Sequence, residues 1–136
     1  LQVKGVSRNI KAVPIAKEAP KRGVKYYNLA APHGLFGSEM VLTFDGYYSG
    51  NFMAGYDTYT ITTKPGSSGS AILNSEGEIV GVIFAGFPSV EKVGLSPVFG
   101  SISVFVSKAY ARGELNLWKM YNMNADTTET TTETPK

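Results

Sequence analysis

The stretch Pro65-Gly66-Ser67-Ser68-Gly69-Ser70-Ala71-Ile72-Leu73-Asn74, followed by Ser75-Glu76-Gly77 and then Glu78-Ile79-Val80-Gly81-Val82-Ile83-Phe84-Ala85-Gly86, decides how this chain is read. It describes a tight glycine loop, a short apolar strand, a polar turn and a second apolar strand. A serine that acts as a nucleophile needs an exposed hydroxyl and backbone N–H groups aimed at the oxyanion that develops. Glycine at position 66 lets the backbone fold so that two amides converge, and Gly69 leaves room behind the nucleophile where a Cβ would collide. The pattern therefore nominates Ser68 as the nucleophile and the N–H groups of Gly66 and Ser68 as the oxyanion hole. A glycine-serine run by itself is often only a turn, and it is the hairpin after it that gives the reading weight.

The bulk properties fit one domain. At 136 residues, 43% apolar and 18% charged, the chain can bury a core. Its 15 glycines and 8 tyrosines, with many Val/Thr-rich runs, favour β structure. A net charge of +2 argues for neither nucleic acid nor a membrane surface as partner. With no cysteine and a single histidine, disulfide scaffolds, thiolate sites and multi-histidine zinc sites are excluded, and no metal or cofactor is expected. No apolar run is long enough to cross a bilayer and there is no signal peptide. The first residue is Leu1 rather than Met, which reads as a processed product or a piece of a longer reading frame.

Further strands are expected at Val24–Leu29, Met40–Phe44, Tyr56–Thr63 and Val93–Val98, with a turn at Ala31-Pro32-His33-Gly34. In Tyr56–Thr63 neither alternating face is cleanly apolar. A helix is expected over Ser103–Arg112, capped by Ser103 and stopped by Gly113. About six strands, short turns and a closing helix predict an all-β protein built as a small antiparallel barrel. From Asn124 the composition turns to Thr and Glu, so residues 124–136 read as a disordered tail or linker.

Pro65–Gly86 resembles the serine-loop region of trypsin-like, chymotrypsin-fold peptidases, and most of all their Deg-type, glutamyl-endopeptidase and viral branches. Leu29–Leu35 with Thr43–Gly50 resembles the opening of that family's second barrel, Val93–Val98 the strand closing its specificity pocket, and Ser103–Arg112 its C-terminal helix. The resemblance implies that residues 1–123 form the C-terminal, six-stranded barrel and its helix. It implies a serine endopeptidase that cleaves protein or peptide substrates through an acyl-enzyme on Ser68.

In that family the base histidine and its aspartate belong to the first barrel, upstream of everything here. Leu1-Gln2-Val3-Lys4 resembles the end of the strand after that aspartate, so a first-barrel segment or companion chain is expected to supply both. His33, in the Pro-x-Gly turn, is read as a turn residue rather than the base, and Asp45 and Asp57 as strand or turn residues. Ser67 precedes the nucleophile where members activated by a freed N-terminus carry an aspartate, so activation of that kind is not expected. By the same resemblance Thr62 and Thr63 form the floor of the specificity pocket, with Phe84, Ala85, Gly86 and Gly94 as its walls. No acid lies at that floor, so an uncharged P1 residue is expected. The rival class is a non-catalytic protease fold retained as a binding, capsid or scaffold module.

Overall fold

The computed structural model describes residues 11–37, 39–53, 55–87 and 89–112. The expected strand end at Leu1-Gln2-Val3, the helix stop at Gly113 and the tail 124–136 lie outside the described residues. Residues 13–104 form one compact unit, and the described residues outside it belong to a second. All of the sheet and the site described below belong to the first.

Among the described residues seven strands build a single antiparallel sheet: β1 (Lys25–Ala30), β2 (Leu42–Phe52), β3 (Tyr56–Tyr59), β4 (Ala71–Leu73), β5 (Ile79–Val82), β6 (Ala85–Phe87) and β7 (Val90–Pro97), in the order β5-β4-β1-β2-β3-β7-β6. The count exceeds the expected six because one long segment is divided. β5 and β6 stand at opposite ends of the sheet, yet only Ile83 and Phe84 separate them in the chain. At those two residues the segment changes partners. Ile83 exchanges backbone hydrogen bonds with Gly69 and Ser70 ahead of β4, whereas the Phe84 N–H donates to Leu95 of β7 at 3.1 Å. Ser96 Oγ accepts the Val82 N–H at 3.0 Å, tying β5 to β7 through a side chain. Among the described residues no ladder joins β5 to β6, so the sheet is curled but not closed by strand pairing. The outer edge of β5 is covered instead, since Ile79 exchanges hydrogen bonds with Pro14 and Ala16.

β2 runs well past the expected Met40–Phe44. Its glycines look like breakers in the sequence, but they permit contacts that side chains would prevent. A Cβ on Gly46 would stand 2.2 Å from the Thr60 carbonyl oxygen, where the chain beyond β3 crosses β2. At Tyr48 and Gly50 the register with β3 shifts, and Gly50 adopts φ +118°. β3 stops at Tyr59, shorter than expected. Its inward face is Asp57 and Tyr59, continued past the strand by Ile61, all nearly inaccessible.

Tyr26, Tyr59, Ile61, Ile72, Val80 and Ile83 form the core, with Phe44, Tyr48 and Phe99 packed against it. Tyr59 meets Tyr26 edge-on at 5.7 Å and Tyr48 at 5.3 Å. Asp57 is buried because donors surround it. It accepts hydrogen bonds from Tyr48 Oη at 2.9 Å, Asn51 Nδ2 at 2.7 Å and the Phe99 N–H at 2.9 Å. That last bond corrects the expected start of the helix. α1 spans Phe99–Ala111, and Ser103 lies within it rather than capping it. The carboxylate of Asp57 occupies the N-terminal position that the local sequence does not fill.

Burial, then the hydrogen bond to Asp57, pushes the Tyr48 phenol up to about 12. Burial likewise pushes Tyr59 upward. Both phenols hold their proton more tightly when folded than when unfolded, so their contribution is complete below an ordinary tyrosine pKa of about 10. It is lost as pH rises from about 10 through about 12. Urea midpoints are therefore expected to fall across that window, and the fall should shrink in Tyr48→Phe. An equal decline in both proteins would remove Tyr48 as its source.

Candidate active site

Two consecutive turns shape the serine loop. In Lys64–Ser67 the Ser67 N–H donates to the Lys64 carbonyl at 2.9 Å, and the third residue, Gly66, has φ +95°. In Ser67–Ser70 the Ser70 N–H donates to the Ser67 carbonyl at 3.2 Å, and the third residue, Gly69, has φ +92°. Positive φ at the third residue is the requirement of a type II turn, and Pro65 pre-sets the second residue of the first one. Gly66 has a further reason to be glycine: a Cβ there would lie 2.8 Å from the His33 backbone nitrogen.

Three N–H groups of the loop are consumed inside the protein, those of Ser67, Gly69 and Ser70, that of Gly69 donating to the Ile83 carbonyl at 2.7 Å. Among the described residues the N–H groups of Gly66 and Ser68 have no acceptor. Their directions follow from the planar trans peptide, in which C=O and N–H point opposite ways. The Pro65 carbonyl accepts the His33 N–H at 2.7 Å, so the Gly66 N–H faces away from the Ala31–Gly34 turn. The Ser67 carbonyl accepts from Ser70, so the Ser68 N–H faces away from Ser70.

Ser67 is buried while Ser68 is exposed, and Ser68 Oγ donates to the Phe84 carbonyl at 3.3 Å. Beside it opens a cleft of about 270 Å³, whose lining includes Thr63, Lys64, Ser68, Ala85, Gly86 and Phe87. Thr63, one of the lining residues, packs against two glycines. A Cβ on Gly86 would overlap Thr63 Oγ1 at 2.1 Å, and one on Gly94 would stand 3.0 Å from Thr63 Cγ2. Thr63 Oγ1 also donates to the Val93 carbonyl at 3.4 Å. The structure thus gathers Ser68, Thr63, Ala85 and Gly86 at one cleft, with Gly94 paired to Gly86 across β6 and β7, whereas Gly66 belongs to the same loop without lining the cleft. Phe84 contributes its carbonyl rather than a wall, and its ring packs on Tyr56 at 5.1 Å. Thr62 does not line the cleft.

The other acid–base candidates have ordinary duties. His33 sits in a 3-10 turn, Pro32–Gly34, with φ 54°. Its backbone anchors Pro65, and among the described residues its ring makes no hydrogen bond to Ser68. Asp45 pairs with Lys25 on the surface at 3.0 Å. Asp57 is taken up by the three donors already named. Among the described residues no His, Asp or Glu set is arranged to hold a metal.

One residue at the site escaped the sequence reading. Asn28 of β1 is fully buried, and its Nδ2 donates to Ser70 Oγ at 2.8 Å and to the Ala71 carbonyl at 2.8 Å. The available signal was a polar residue between Tyr26 and Ala30 on the inward face of a strand.

The model of the peptidase S7 family, the flavivirus NS3 serine proteases, matches residues 25–98, more than half of the chain. The chain belongs to that family. The matched S7 residues run from β1 to the end of β7 and contain the whole serine loop. Solved structures agree on the fold. A serine endoprotease from Yersinia pestis superposes with TM-score 0.66 at 20% identity, covering 78% of this chain and 38% of that one. The Rv3671c protease from M. tuberculosis in its active form superposes with TM-score 0.61 at 16% identity, covering 71% and 47%. An inactive form of the same protease gives TM-score 0.58 at 18% identity, covering 73% and 53%. This S7 chain thus spans about half or less of the length of these structures. A search of curated proteins gave no significant match.

Proposed function

We propose that this S7 barrel carries the nucleophile, oxyanion hole and specificity pocket of a serine endopeptidase, and that its base histidine and aspartate come from upstream sequence or a companion chain. One observation carries the proposal: an exposed Ser68 hydroxyl at the mouth of a cleft, in a loop whose Gly66 and Ser68 N–H groups have no acceptor among the described residues. Ser68 Oγ attacks the scissile carbonyl and gives its proton to the incoming base. The tetrahedral oxyanion takes hydrogen bonds from the Gly66 and Ser68 N–H groups. The base returns the proton to the leaving amine, and water then hydrolyses the acyl-enzyme by the same steps in reverse. The free edge of β6 is suited to pair with an extended substrate as an added strand.

The test is treatment of the protein with a fluorophosphonate probe, followed by peptide mapping. A single adduct on the peptide containing Ser68 is expected once the histidine-bearing segment is present. An adduct on another residue, or none in that assembly, would sink the proposal.

The P1 side chain enters beside Thr63, whose hydroxyl and methyl stand between Gly86 and Gly94. The cleft has no carboxylate in its lining, so a cationic P1 group would lack a counter-ion, and the space left by Thr63 suits a short uncharged side chain. Thr63→Gly is expected to raise kcat/KM about tenfold for P1 residues one or two methylenes longer, judged by what a methylene contributes in a pocket. The check is a set of peptides differing only at P1. An unchanged profile would place P1 selection elsewhere.

A further inference from the structure

We infer that Asn28 and Ser70 are positioning residues for the oxyanion hole, acting as a one-way hydrogen-bond relay that sets the direction of the Ser68 N–H. The inference rests on the reading of Ser68 as nucleophile and adds to it residues distant in sequence that prepare its amide.

The direction of the relay is fixed by chemistry. The Ala71 carbonyl can only accept, so the Asn28 atom facing it at 2.8 Å must be the Nδ2 donor and not Oδ1. The second hydrogen of the same Nδ2 is then directed at Ser70 Oγ, at 2.8 Å. Having accepted from Asn28, the Ser70 hydroxyl uses its own proton toward the Ser67 carbonyl, at 2.6 Å. That contact is shorter than the 3.2 Å bond from the Ser70 backbone N–H to the same oxygen. The Ser67 carbonyl belongs to the peptide whose other end is the Ser68 N–H. A planar trans peptide cannot turn one without the other. Holding the carbonyl inward therefore holds the N–H outward, on the side of the exposed Ser68 hydroxyl.

Burial makes the relay costly to break. Asn28 is completely inaccessible and its Oδ1 has no partner among the described residues, so the side chain gives up an acceptor site to keep both donors aimed at the serine loop. A purely apolar residue would pack on the inward face of β1 with less desolvation. What Asn28 supplies is a donor that fixes which way Ser70 points. Hydrogen bonds in such a chain polarise one another, which strengthens the hold on the Ser67 carbonyl. A pre-aimed amide costs no reorganisation as the oxyanion forms.

The test compares Ser70→Ala, Ser70→Thr and Asn28→Ala with the parent chain, each shown to be folded by its thermal melt. The first readout is the orientation of the Ser67–Ser68 peptide, from crystal structures and from the Ser68 amide resonance. In Ser70→Ala the peptide should rotate or populate two orientations, and Ser70→Thr should restore the single one. The second readout is fluorophosphonate labelling in the assembly that contains the histidine-bearing segment. The inactivation rate constant of Ser70→Ala should fall about tenfold or more with the probe's binding constant unchanged, since removing an oxyanion donor outright costs about a hundredfold. A role in stability alone would lower the melting temperature and leave that rate constant in place.

A folded Ser70→Ala chain with the parent peptide orientation and parent rate constant overturns the inference. Should Asn28→Ala not fold, Ser70→Ala decides alone. If the parent chain acquires no adduct at Ser68 with the histidine-bearing segment present, the nucleophile reading is what fails, and the peptide orientation still decides the relay.

Discussion

Ser68→Ala is expected to abolish labelling by fluorophosphonate and to lower peptide hydrolysis by about a millionfold in the assembly that contains the base, the loss seen when a serine protease nucleophile is removed. The size follows from the chemistry. Without Oγ no acyl-enzyme forms, and only the catalysis left by substrate binding and the oxyanion hole remains, about a thousandfold over water. The substitution removes one exposed hydroxyl bonded to the Phe84 carbonyl, so stability should change little. The informative control is His33→Ala. Its backbone N–H, which anchors Pro65, is retained, and among the described residues its ring makes no hydrogen bond, so labelling should persist. Hydrolysis that survives Ser68→Ala would refute the assignment, and labelling lost in a folded His33→Ala would make that histidine a participant.

Asp57→Ala is expected to cost about 4 kcal/mol of stability, because three donors would lose their acceptor at once inside the protein. Tyr48 Oη, Asn51 Nδ2 and the Phe99 N–H all end on its carboxylate, tying β2, β3 and the first turn of α1 together. Asp57→Asn retains the shape and one accepting oxygen but presents an NH₂ to a donor, so about half of that loss is expected. Urea unfolding followed by tyrosine fluorescence measures both. A loss below about 1 kcal/mol in Asp57→Ala would mean that water replaces the carboxylate and that the helix start does not depend on it.

The serine loop was legible because its requirements are local. Pro65-Gly66 and Gly69 stand at turn positions that demand a preset or positive φ, and Gly77, also at positive φ, marks the β4–β5 hairpin. Features set by distant residues were not legible. Gly46 reads as a strand breaker until the Thr60 carbonyl is placed against it. The start of α1 is missed because its cap, Asp57, comes from a strand 42 residues earlier. The extra strand was hidden because Ile83 and Phe84 lie inside an unbroken apolar run, and only the pairing on either side shows that the run serves two ends of the sheet. Asn28 carried a signal, a polar residue on an inward strand face, but its partner Ser70 is 42 positions away. The resemblance placed Thr62 and Thr63 together at the pocket floor, whereas of the two Thr63 alone lines the cleft, as alternation along an extended chain would have it.

The change of partners at Ile83 and Phe84 also bears on when chemistry becomes possible during the life of the polypeptide. The same two residues receive Gly69, Ser70 and Ser68 from the serine loop, through bonds to the Ile83 carbonyl, the Ile83 N–H and the Phe84 carbonyl. Those bonds exist only after the segment has been laid across from β4 to β7. β4 and β5, and likewise β6 and β7, pair as neighbours in the chain and can form early, whereas the crossing between them belongs to the assembled sheet. A nascent or half-folded chain therefore holds an unshaped serine loop, and shaping of the proposed active site coincides with completion of the domain. Folding itself serves as the safety catch.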